Sequence, residues 1–197
     1  MSKINMLVCI TGEIGSGKTE ALKIIKEQGY HTYAMDDYIH EIYKKGNIGY
    51  NLIKKHFGSE FVNASCVARK KLGKLVFSNA TKLKKLNQLT IPIMKSKLKE
   101  ITEKSMLLFV EMGIYLYHES AFSKYFDKVI FINSKKSLKN KNFRKKITYL
   151  SKFPTILVGK SNGDIKNKQN SNYIVVDNHK NLKVFRENIL KTLKIFK

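Results

Sequence analysis

The sequence predicts an α/β fold of three layers, a parallel sheet between helices, with a helical lobe added to it. Three observations carry that expectation. Short apolar runs at 4–11, 106–111, 128–133 and 173–177 alternate with longer stretches whose apolar residues recur at three- and four-residue spacing. The first run leads through Gly12-Glu13-Ile14-Gly15-Ser16-Gly17-Lys18-Thr19 into an amphipathic helical stretch, so strand, glycine loop and helix follow in the order that G-x-x-x-x-G-K-[ST] requires. Residues 38–104 read as helical almost throughout, which is too long for a simple crossover between two strands.

The glycine loop is a P-loop, and the expected architecture is therefore P-loop NTPase-type. Gly12, Gly15 and Gly17 let the backbone turn inward, so that several N–H groups converge. The first helical turn adds unpaired donors and the positive end of its dipole. Lys18 is placed to reach β- and γ-phosphates, and the Thr19 hydroxyl to be one ligand of Mg²⁺. All eight residues, Glu13, Ile14 and Ser16 included, are read as the nucleotide-binding loop, for a nucleoside triphosphate with Mg²⁺. The motif leaves the phosphoryl acceptor open.

In chain order, the first strand (4–11) ends in β-branched Ile10 and Thr11. A helix over 20–28 carries Ala21, Leu22, Ile24 and Ile25 on one face, and Gly29 stands where a C-cap glycine belongs. The second strand (30–35) ends at Asp36-Asp37, on the side where open α/β sheets bind ligands. A helix beginning at Tyr38 is expected to break near Gly46 and Gly49. Another covers 50–57, with Leu52, Ile53 and Phe57 on one side and Gly58 after it. Leu72, Leu75 and Val76, then Leu83, Leu86 and Leu89, keep helical spacing, and Pro92 is read as opening a further helix through Met94, Leu98 and Ile101. Residues 69–99 hold ten lysines and arginines and no acid, either a solvated helical face or a positive wall towards a bound anion.

The third strand (106–111) is followed by a connector or short helix at 120–125 and by the fourth strand (128–133). Seven basic residues and no acid lie between Lys135 and Lys146, the place for a phosphate-clamping lid at about 135–150 or for a mobile surface helix. Residues 153–159 are apolar enough for a strand, but the sequence does not place them in the sheet. Asn162-Gly163 marks a turn, and 173–177 form the final strand. Leu182, Phe185, Ile189, Leu193 and Phe196 line one side of a C-terminal helix that covers the sheet.

Composition narrows the function. The 197 residues suffice for one core carrying a helical insertion, so a single domain is expected over 1–197. The two cysteines, Cys9 and Cys66, make no disulfide framework. The first strand starts too early to leave space for a signal peptide, and no apolar run approaches a membrane span. A cytoplasmic protein without a membrane partner is expected. The net charge of +23 comes almost wholly from lysines spread along the chain, which favours any polyanion and provides no base-specific readout. Specific nucleic-acid binding is not expected, and a phosphate-rich small molecule is the preferred ligand.

Further residues sharpen this. The loop has the form G-x-I-G-S-G-K-[ST], Asp36 follows the second strand, and Phe57-Gly58 precedes Arg69 and Leu72 in an R-x-x-L pattern. Val76-Phe77 and the closing Val175-Val176-Asp177-Asn178 complete the set. Together these resemble the dephospho-coenzyme A kinase family over most of residues 4–195, strongly at both ends and thinly between 112 and 172. Asp36 falls on the second aspartate of the family's Asp-Ala-Asp segment, while Ala34 replaces the first, and His40 stands where the family has Arg or His. The family's His-Pro appears as Ile91-Pro92, and its P-L-L-F-E segment fits Tyr115-Leu116-Tyr117-His118-Glu119, keeping the leucine and the glutamate. In the lid the family carries several arginines, and here Arg144 stands among lysines, which supply charge without the rigid fork of a guanidinium.

The resemblance implies transfer of the γ-phosphoryl of ATP to the ribose 3′-hydroxyl of dephospho-coenzyme A. It assigns Asp36 and Lys18 to catalysis, Asn178 and Arg144 to the nucleotide, and His40, Arg69 and Glu119, with Asp36, to the acceptor. The lobe over about 38–104 becomes the coenzyme-binding part of a monomer or weak oligomer. Asp37 is expected to cap the helix beginning at Tyr38, leaving Asp36 free for chemistry. Two alternatives stay open: another small-molecule or nucleoside kinase of the same fold, and a nucleic-acid-binding NTPase module.

Overall fold

The computed structural model describes residues 6–113, 119–134, 155–158 and 172–196. Among them six strands form one parallel sheet: β1 (Met6–Gly12), β2 (His31–Ala34), β3 (Leu107–Glu111), β4 (Lys128–Ser134), β5 (Thr155–Val158) and β6 (Tyr173–Asn178). Their order is β2-β3-β1-β4-β6-β5. The helices are α1 (Lys18–Glu27), α2 (Met35–Ile42), α3 (Ile48–Phe57), α4 (Arg69–Ser78), α5 (Ala80–Thr102), α6 (Glu119–Phe122) and α7 (Leu182–Leu193). None of the described helices is long and apolar enough to cross a membrane.

β1 lies between β3 and β4 and is buried from Leu7 to Gly12. A strand paired on both edges and covered on both faces carries a continuous apolar run, as the sequence here does. Asp127 fastens its start: the Leu7 N–H donates to the Asp127 carboxylate at 2.7 Å, and the Asp127 N–H to the Leu7 carbonyl at 2.9 Å. On one face of the sheet, Ala21, Ile24 and Ile25 of α1 and Phe185, Ile189 and Leu193 of α7 pack with Val8, Ile10, Phe109, Ile130, Ile132, Ile174 and Val176.

The chain separates into two compact units, Met1–Ala34 with Thr102–Lys197, and Met35–Ile101. The first holds the sheet with α1, α6 and α7. The second has its own core of Ile42, Tyr43, Tyr50, Ile53, Phe57, Phe61, Val67, Leu72 and Val76, with Leu75, Leu83, Leu86 and Leu89 packed against it.

Several expectations need correction. The helix after β2 starts at Met35, directly after the strand, so Asp36 and Asp37 are its second and third residues. Neither is an N-cap, because the orphan N–H groups run from Ala34 to Asp37, whereas the N–H groups a cap at Asp36 or Asp37 would serve, two or three residues further on, already lie inside the helix. Pro92 lies inside the 23-residue α5 instead of opening a helix. That helix is set by its apolar stripe through Leu83, Leu86, Leu89 and Ile93, which spans the proline. The helix break falls at Gly46, whereas Gly49 sits within α3, where a Cβ would lie 2.8 Å from the Ile42 carbonyl oxygen. Leu182 is 60% exposed, since it is the first residue of α7, directly after the Asn181 cap that accepts from the Val184 N–H. Residues 155–158, left unplaced by the sequence, are the edge strand beside β6. The expected lid at 135–150, with Arg144, and the segment 115–118 lie outside the described residues.

Candidate active site

The loop from Gly12 to Lys18 joins the C-terminal end of β1 to α1. The Ser16 N–H donates to the Glu13 carbonyl at 3.0 Å and closes the turn. A Cβ on Gly12 would stand 2.5 Å from Ser16 Oγ and 2.7 Å from the Ile132 carbonyl oxygen, so only glycine lets loop and β4 come this close. Gly17 has φ 101°, in the left-handed region, immediately before α1.

Lys18 is buried at the first position of α1. Its Nζ donates to the Glu13 carbonyl at 3.1 Å and lies 3.9 Å from Glu111 Oε1. Glu111 is the last residue of β3, paired in register with Ile10, and is itself buried. Burial, and then the Glu111 carboxylate, push the Cys9 thiol well above its ordinary range, so Cys9 is a neutral core residue. The sequence reading passed over Glu111. Its signal was an acid closing an otherwise apolar strand, at the sheet end where the loop begins.

Asn178, the last residue of β6, donates from Nδ2 to the Ser16 carbonyl at 2.8 Å. Asp177 before it accepts from Asn133 Nδ2 at 2.7 Å, and its backbone carbonyl accepts from Asn188 Nδ2 at 3.0 Å. The residues around the loop fit a polyphosphate with a divalent cation. The ammonium of Lys18 reaches the loop, Thr19 is exposed on the first turn of α1, and Ser16 Oγ is buried without a hydrogen-bond partner among the described residues.

In the second unit, Asp36 and His40 are exposed and one helical turn apart on α2. Arg69 opens α4, and its Nη1 bonds His40 Nε2. A guanidinium only donates, so this imidazole nitrogen is the acceptor. Two candidates 29 positions apart in sequence are thus brought into contact. Burial pushes the Tyr43 phenol up to about 12, with the Arg69 guanidinium pulling the other way. Glu119 is the first residue of α6.

A family model described as dephospho-CoA kinase matches residues 6–183, which span both units. The chain belongs to the dephospho-CoA kinase family. It is 37% identical over 158 residues to a dephospho-CoA kinase of Mycoplasma genitalium, covering 76% of this chain and 79% of that protein. A dephospho-CoA kinase of Mycoplasma pneumoniae is 33% identical over 128 residues, or 64% of each chain, which is under two thirds of that relative's length. Among solved structures, a dephospho-CoA kinase of Campylobacter jejuni superposes with a TM-score of 0.61 at 21% identity, covering 96% of each chain. A Thermus thermophilus protein does so with a TM-score of 0.64 at 20% identity, also over 96% of each chain. At these identities the two structures establish the shared fold, a parallel α/β sheet with a helical lobe.

Proposed function

We infer that this member of the dephospho-CoA kinase family is an ATP-dependent phosphotransferase that converts dephospho-CoA to CoA. The observation that carries this is the family match over 6–183, which takes in the loop, the helical lobe and β6 alike. In the proposed reaction the acceptor is the ribose 3′-hydroxyl. Its oxygen forms a bond to the γ-phosphorus as the bond to the β–γ bridging oxygen breaks, and ADP leaves.

The loop backbone and Lys18 hold the phosphates, and Lys18 stabilises the charge that shifts towards the leaving group. Bound Mg²⁺ would neutralise charge on the phosphates, with Thr19 as its protein ligand. Asp36 orients the acceptor hydroxyl and takes its proton, and Arg69 with His40 holds the acceptor's phosphate groups. Arg144 is proposed on the nucleotide side and Glu119 on the acceptor side, on the family resemblance alone. Residues 38–104 are proposed as the coenzyme-binding lobe of a single kinase domain, and the protein as a cytoplasmic monomer or weak oligomer.

An ADP-release assay with ATP and Mg²⁺ against nucleosides, shikimate-like acids and dephospho-CoA tests the proposal. Turnover is expected with dephospho-CoA. Faster turnover with a nucleoside or a small acid would assign the lobe to another acceptor.

A further inference from the structure

We propose that Asn178 is a positioning residue for the phosphate-binding loop. It holds the Ser16 carbonyl and thereby turns the Gly17 N–H towards the phosphates. This builds on the kinase proposal and replaces the expectation that Asn178 contacts the nucleotide directly.

Ser16 is held through both of its backbone groups. Its N–H donates to the Glu13 carbonyl at 3.0 Å, and its C=O accepts from Asn178 Nδ2 at 2.8 Å. The Ser16–Gly17 peptide is trans, as are all the peptides described. In a planar trans peptide the C=O and the following N–H point in opposite directions. Drawing the Ser16 carbonyl towards β6 therefore aims the Gly17 N–H away from β6. Without Asn178 the Ser16 carbonyl loses this side-chain donor, and glycine at position 17 restricts the peptide's orientation less than any other residue would.

The Asn178 amide also fills the space that a side chain at position 17 would take. A Cβ on Gly17 would lie 2.5 Å from Asn178 Nδ2 and 3.4 Å from the Phe185 ring. The bracket itself is firmly seated. Asn178 pairs in register with Ser134, and the adjacent Asp177 is bonded by Asn133 from β4 and by Asn188 from α7. The Ser16 hydroxyl, buried and without a partner among the described residues, contributes no tether of its own. The last residue of β6, 162 positions away in sequence, thus fixes the orientation of a loop amide.

The test compares calorimetric binding of ATP and of inorganic tripolyphosphate, each with Mg²⁺, to wild type, Asn178→Ala and Asn178→Leu. Tripolyphosphate has no base or sugar, so it reports on the loop alone. If Asn178 acts through the loop, both variants lose about tenfold affinity for both ligands, the loss expected for one hydrogen bond. KM for dephospho-CoA stays unchanged. The Gly17 amide proton, which tripolyphosphate should move downfield in the wild-type NMR spectrum, should move less in the variants while the other resonances keep their native dispersion. Asn178→Leu keeps the number and branching of the side-chain heavy atoms and carries the test if the alanine variant does not fold. Unchanged tripolyphosphate binding, whether or not ATP binding falls, overturns the inference. A wild-type protein that binds neither ligand overturns the kinase proposal itself, and this inference with it.

Discussion

Lys18 Nζ stands 3.9 Å from Glu111 Oε1 while donating a 3.1 Å hydrogen bond to the Glu13 carbonyl, so the loop's cation is held between loop and sheet. Both side chains are buried, and removing the ammonium takes a positive charge from beside the Glu111 carboxylate as well as the proposed phosphate contact. Lys18→Ala is expected to lower turnover by at least about a hundredfold, since the charge acts where the transition state redistributes it. It should also cost about 1.5–3 kcal/mol of stability, the range for losing a hydrogen bond made by a charged group, here the one from Lys18 to the Glu13 carbonyl. Steady-state kinetics and urea unfolding measure the two effects. Equal turnover in variant and wild type would remove Lys18 from the active site.

Asp36 and Asp37 share the first turn of α2, and their variants should behave differently. Asp36→Asn keeps size and most hydrogen bonding but removes the basic oxygen. Turnover should fall roughly a hundredfold or more with little change in melting temperature. Asp37→Ala loses only a favourable charge near a helix N-terminus, about 0.3–1 kcal/mol, and should keep most of its turnover. A dead Asp37→Ala with an active Asp36→Asn would show that the catalytic aspartate is one residue further on.

Tyr43 provides a signature in alkali. Its phenol is raised to about 12 in the folded protein, whereas an unfolded tyrosine ionises near 10. The folded state therefore keeps the proton after the unfolded state has released it. This contribution to stability is complete below pH 10 and is lost as pH rises towards 12. The loss is about 1.4 kcal/mol per pH unit in that window. Urea unfolding of wild type and Tyr43→Phe should give stabilities that diverge by this slope from about pH 10 upward, with wild type falling faster. Parallel curves would mean that the phenol is not held neutral by burial.

Pro92 removes one donor from the interior of α5 and is exposed. Pro92→Ala restores a backbone bond towards the Gln88 carbonyl and should stabilise the protein by about 1–3 kcal/mol. A variant no more stable than wild type would show that packing in the second unit requires the helix as the proline shapes it.

The sheet strands with strong local signals were legible in the sequence, because a fully covered parallel strand is written as an unbroken apolar run. The loop was legible for a different reason: its glycines and Lys18 answer to a ligand, so their spacing carries the chemistry directly. What the sequence hid depends on partners distant in the chain. Glu111 acquires meaning only beside Lys18, and the contact between His40 and Arg69, both already candidates, forms only across 29 positions of chain. Residues 155–158 show their place only once β6 is there to pair with them. Asp37 and Pro92 misled for one reason. Local cap and breaker preferences are worth about 1–3 kcal/mol, and the packing of an apolar stripe outweighs them.

The most direct measurement is identification of the product made from dephospho-CoA, ATP and Mg²⁺ by mass spectrometry and phosphorus NMR. The expected result is one phosphoryl group gained, placed on the ribose 3′-oxygen, with one ADP formed for each CoA. ADP formed while dephospho-CoA remains unchanged, or a phosphoryl group carried on any other oxygen, would contradict the assignment.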